Sequence, residues 1–122
     1  MPRVIHFDIP ADDPERAVAF YRQAFGWEIV KWEGPMEYWL VMTGPEGEPG
    51  IDGGIGPRSE PGEGTVNTIG VDDVDATVAA GLANGSVVIH PKHAVPGVGW
   101  LADCADTEGN VFGLMQEDRQ AR

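Results

Sequence analysis

The chain has 122 residues, 42% of them hydrophobic, enough for one core and too many for a disordered acidic segment. Its formal net charge of −12 argues against nucleic acid, whose phosphates require a basic patch, and its apolar residues are too dispersed for a membrane protein. A lone cysteine, Cys104, excludes an intramolecular disulfide and fits a reducing compartment; the N-terminus turns amphipathic at once, with no secretory signal, so a cytoplasmic protein is expected.

From Val4 to Ile9 apolar and polar residues alternate, the period of a strand with Ile5, Phe7 and Ile9 buried and His6 and Asp8 on the other face. Asp13 as N-cap and Pro14 at the first helical position open a helix that Gly26 closes. Ala17, Phe20, Tyr21, Ala24 and Phe25 form its expected apolar stripe. Strands follow at 27–32, 37–43 and 51–56, separated by Pro/Gly turns, and Arg58 to Gly64 is polar enough for a linker. The order then begins again. A strand runs from Thr65 to Val71, Asp72-Asp73 repeats Asp12-Asp13, and Val74, Val78 and Leu82 mark a helix that Gly85 ends. Strands at Val87–Ile89, Gly99–Ala102 and Asn110–Met115 complete the chain. Asp12 and Asp72 are 60 apart, Trp39 and Trp100 61 apart, so two copies of one βαβββ unit are predicted. The expected modules are 1–57 and 65–122 with a linker at 58–64, one compact α+β domain overall.

The segments DDPERAVAFYRQAFGW, VDDVDATV and DTEGNVFGLMQ, set in paired βαβββ modules, resemble the vicinal oxygen chelate superfamily over nearly the whole chain. That superfamily includes glyoxalase I, extradiol dioxygenases and bleomycin-resistance proteins, and the resemblance is to its glyoxalase-like members. It implies a curved mixed sheet around a cleft, often completed by dimerisation, with a divalent metal held by the first and last strand of each module. Carried over one at a time, those positions fall on His6, Gly54, Val66 and Gly113. Only His6 bears a donor atom, whereas a catalytic divalent ion ordinarily takes at least three protein ligands.

Other residues carry possible chemistry. His6 and Asp8 share a strand face and could act as an acid–base pair. His90 and His93 flank Pro91, which forbids the helix that would make them a metal pair, and Cys104 beside Asp103 has no histidine tied to it by sequence. Trp39 and Trp100, on matching strands, are either core or cleft lining. Val66, Gly113 and Met115 would give the cleft an apolar half, and glycines at 54 and 113 would leave volume open there. Two functions remain open: a homodimeric protein binding a small organic ligand without a metal, and a metal-dependent lyase or dioxygenase. The second would use His6 as ligand or base, with further donors drawn from Asp8, Asp52 or Asp103.

Overall fold

The computed structural model describes residues 2–122, which fall into two compact units, His6–Thr65 and residues 2–5 with Val66–Arg122. The elements alternate as the repeat requires. They are β1 (Arg3–Ala11), α1 (Pro14–Phe25), β2 (Glu28–Lys31), β3 (Trp39–Met42), β4 (Asp52–Pro57), then β5 (Val66–Gly70), α2 (Val74–Ala83), β6 (Val87–Val95), β7 (Gly99–Ala105) and β8 (Val111–Glu117). This is an α+β fold of two βαβββ modules. The strand orders are β2-β3-β4-β1 and β5-β8-β7-β6, with β1–β4 and β5–β8 parallel and the remaining neighbours within each module antiparallel.

Each helix begins where an aspartate can satisfy a free backbone N–H. Asp13 accepts from Arg16 N at 3.1 Å and Asp73 from Ala76 N at 3.0 Å. Gly26 closes α1 in the left-handed conformation, φ 72°, and returns its N–H to Arg22 O. The buried line of α1 differs from the expected stripe. Pro14 and Val18 are buried, with Ala17 and Tyr21 packed against the core, whereas Ala24, Phe20 and Phe25 are exposed and the two phenylalanines pair edge to face. A helix over a twisted sheet buries one narrow line, and here it runs through Val18, one position from Ala17.

The ladders assign every strand residue to a face. Phe7 pairs Gly53 and Gly53 pairs Val41, while Ile9 pairs Ile55 and Ile55 pairs Trp39. These residues join Val18 and Ile29 in the core beneath α1. In the second module Val71, Val74, Ala102, Cys104 and Leu114 form the core, with Ile69, Val78, Trp100 and Phe112 packed against them.

Two expectations about strands are corrected. β6 runs on through His90-Pro91-Lys92-His93 to Val95, with one register shift between Val88 and His90 and another across Pro91, between His90 and His93. An edge strand tolerates proline there because its outward N–H needs no partner, and the shifts spoil the edge as a pairing template. The Trp39–Trp100 correspondence slips by two residues. Gly54 pairs Leu40, whereas its counterpart Gly113 pairs Asp103, so the counterpart of Trp39 is Ala102. The slip keeps Trp100 on the same face because a strand has period two.

Candidate functional site

The residues left on the other face of the first module carry its chemistry. Asp8 pairs Gly54, Gly54 pairs Leu40 and Leu40 pairs Val30, a row that crosses all four strands on the side away from α1. His6 stands one same-face step along β1 from Asp8. Tyr38 lies just before β3, where its backbone C=O accepts from Trp32 N at 2.8 Å. Its ring crosses Gly56, 3.4 Å from where a Cβ would be, and its hydroxyl fills the place of a side chain at Gly54. Two glycines two residues apart on β4 thus make a trough for one phenol.

The phenol closes a polar cluster. Tyr38 donates a short hydrogen bond to Asp8 Oδ1, and His6 Nε2 lies 3.0 Å from Tyr38 Oη and 3.3 Å from Asp8 Oδ1. Tyr38 has a single proton and gives it to Asp8, so its oxygen can only accept from His6 Nε2–H. The tautomer follows: Nε2 carries the proton and Nδ1 stands outside the network. Burial, then the Asp8 charge and the hydrogen bond to it, push the Tyr38 phenol far above its ordinary range. The phenol is a fixed donor. His6 and Asp8 remain partly open, with side chains 34% and 41% exposed. Beside them Trp32 stands edge-on to Tyr38 with ring centroids 6.2 Å apart, and Val30, Trp32 and Leu40 are exposed.

The other expected site residues are dispersed. Trp39 is 5% exposed in the core beneath α1, on the opposite face from His6. Trp100 packs against the second core, with Nε1 donating to Asp118 at 3.2 Å and Lys92 above its ring. Gly113 faces Thr68 Oγ1, Asp103 Oδ1 and Leu101 Cδ1 at 2.9, 3.3 and 3.5 Å from a notional Cβ. The volume expected to be open at Gly54 and Gly113 is therefore filled, by Tyr38 in one module and by Thr68, Leu101 and Asp103 in the other. Val66 begins β5, and Met115 pairs both Gly70 and Leu101. Asp52 accepts from Thr43 N, and Asp103 pairs with His90 Nδ1 at 3.2 Å. His93 Nδ1 lies 3.0 Å from Pro91 O. Cys104 is buried on the α2 side, where burial and then Asp103 raise its thiol pKa, partly offset by Ser86.

A family model described as the Glyoxalase/Bleomycin resistance protein/Dioxygenase superfamily matches residues 3–114. The chain belongs to that superfamily. A glyoxylase-like domain-containing protein of Didymella fabae is 33% identical over 113 residues, 88% of either chain. Among solved structures, a hypothetical protein of Bacillus halodurans C-125 aligns with TM-score 0.72 at 17% identity over 99% of this chain and 98% of its own. A variant of Streptomyces coelicolor methylmalonyl-CoA epimerase, in complex with 2-nitronate-propionyl-CoA, aligns with TM-score 0.70 at 20% identity over 98% and 97%. At these identities the two structures show a shared fold.

The residues do not fit the metal that the superfamily's enzymes hold. Gly54, Val66 and Gly113 offer no donor atom, and His6 Nε2 is committed to Tyr38 and Asp8. Among the described residues no three His, Cys, Asp or Glu side chains gather as a ligand set. Asp8 stands beside His6, and Asp52 pairs His6 in the β1–β4 register with its Oδ1 accepting from Thr43 N, whereas Asp103 lies in the second module beside His90. Among the described residues no helix is long and apolar enough to cross a membrane.

Sequence reasoning missed Tyr38 and Trp32. Gly54 and Gly56 on one face of a strand were the available signal, since paired glycines there ask for a large neighbour.

Proposed function

We propose that the open face of the first module binds a small organic ligand, anchored by Asp8 and His6 and bounded by Trp32, Leu40 and Val30. The observation that carries this is the Tyr38–Asp8–His6 network lying beside exposed apolar side chains. An apolar surface with a few directed polar groups suits an organic molecule better than an ion or a phosphate. The bonds to Tyr38 and His6 both use Asp8 Oδ1, which leaves Oδ2 to accept from a ligand hydroxyl or amine, and His6 Nδ1 can accept from a second donor. The net charge of −12 disfavours polyanions. The second reading is a proton-transfer enzyme of the glyoxalase-like type, supported by a His6 Nδ1 that lies outside the network and could serve as base.

We also propose a homodimer. β6 bears exposed apolar residues, Val87, Val88 and Ile89, and packing of their side chains against a second chain would cover them. Light scattering at micromolar concentration is expected to return twice the chain mass; the monomer mass would refute it.

The ligand site is tested by screening fragments against intrinsic tryptophan emission. A bound fragment is expected to change Trp32 emission, an effect absent in Trp32→Phe, and Asp8→Asn should weaken its affinity about tenfold, the worth of one charge-assisted hydrogen bond. Emission changes unaffected by Trp32→Phe, together with unchanged affinity in Asp8→Asn, would refute the site.

A further inference from the structure

The internal repeat supplies its own standard for what belongs under each helix. Both helices are capped by aspartates sixty positions apart, Asp13 and Asp73, so Val18 answers Val78 and Tyr21 answers Gly81. In the first module Tyr21 lies flat on Trp27, ring centroids 5.1 Å apart and planes within 3°, and both pack on the core. In the second module neither ring exists. Gly81 stands for Tyr21, and Ser86 stands for Trp27, since Val87 pairs Ala105 as Glu28 pairs Met42. Between them lies a half-open apolar cavity of about 330 Å³, lined by Gly81 and Ser86 together with Ile69, Val78, Cys104 and Phe112.

We propose that this cavity beneath α2 is a second binding site, separate from the open face of the first module, for an uncharged aromatic molecule of one or two fused rings. The occupant is read from what fills the same place in the first module, a pair of stacked rings. Volume permits it, since an apolar cavity of roughly 150 Å³ suffices for benzene. The polar side chains at its border are committed to backbone. Ser86 Oγ donates to Ala105 O at 2.8 Å and Asn84 Nδ2 to Ala80 O at 2.8 Å. A charged group against this apolar lining would lose water without gaining an ionic partner. The Cys104 thiol forms part of the wall and reports occupancy.

The test uses the whole chain, with indole as probe. Indole is expected to raise the melting temperature and to slow modification of Cys104 by methyl methanethiosulfonate. At twice its dissociation constant the slowing is about threefold, the unliganded fraction being one third. Gly81→Tyr restores the ring of the first module and should abolish both effects. A Cβ at Gly81 comes within 3.3 Å of Ser86 Cβ, so Val78→Phe, which fills the cavity from the neighbouring turn, serves as the second variant. Asp8→Asn should leave both effects intact, which separates this site from that of the first module. Neither effect in the unmodified protein, or both persisting in a filled variant, would overturn the proposal.

Discussion

Gly54→Ala adds one methyl group at the place that the Tyr38 hydroxyl occupies. The Gly54 backbone is held on both sides, by Asp8 of β1 and Leu40 of β3, so the strand has no freedom to retreat and the phenol must swing out. It then leaves Asp8 and His6. A hydrogen bond to a charged group is worth about 1.5–3 kcal/mol and a neutral one about 0.5–1.5. Asp8 is 41% exposed, so water replaces part of the loss, and we take a net destabilisation of about 2 kcal/mol. For a chain of this size that is a fall of about 6–10 °C in melting temperature. In a Tyr38→Ala background the same substitution meets no phenol. There it should be neutral or raise stability by about 0.5–1 kcal/mol, as alanine does when it replaces a strand glycine. A double-mutant cycle read by chemical denaturation therefore predicts a coupling of about 2–3 kcal/mol between positions 38 and 54. Costs that add within about 0.5 kcal/mol would show that Tyr38 does not occupy the Gly54 position.

Stability should fall in alkali. The folded state holds the Tyr38 proton above the ordinary phenol value of 10.0, so the stabilisation is complete below pH 10 and lost above it as the unfolded chain ionises first. The loss is at most about 1.4 kcal/mol per pH unit, and Tyr38→Phe should remove that increment from denaturation curves recorded on either side of pH 10. Gly113→Phe should destabilise by about 2–4 kcal/mol, because Thr68, Asp103 and Leu101 already surround the site; a near-normal melt would show open volume there. Inorganic mass spectrometry after mild dialysis of untagged protein should find no stoichiometric zinc, nickel, manganese or iron. One equivalent that disappears in His6→Ala would contradict this.

The βαβββ repeat was legible because its signals are local: alternation in β1, aspartate caps at Asp13 and Asp73, and a left-handed glycine at Gly26. The polar face of β1 was legible for the same reason, and His6 and Asp8 do meet there. What lay opposite them was not. Tyr38 reaches Asp8 from thirty residues away, across strands whose register no local pattern specifies. Trp39 and Tyr38 are neighbours in sequence, yet one lies in the core and the other in the polar cluster. Symmetry of sequence also misled at Trp100. The spacing matched Trp39, but the β7 ladder runs two residues further, which became visible only through the pairing of Gly113 with Asp103.

The proposed organic-ligand site works through Tyr38, Asp8 and His6 with no metal in the set. It is tested most directly by calorimetric titration of a fragment hit into chelator-treated protein, with and without added divalent metal, in the unmodified chain and in Tyr38→Phe. Binding that survives the chelator, ignores the added metal and weakens about tenfold in Tyr38→Phe is the predicted result. Binding that appears only when zinc, nickel, manganese or iron is restored, and is indifferent to Tyr38→Phe, would contradict it.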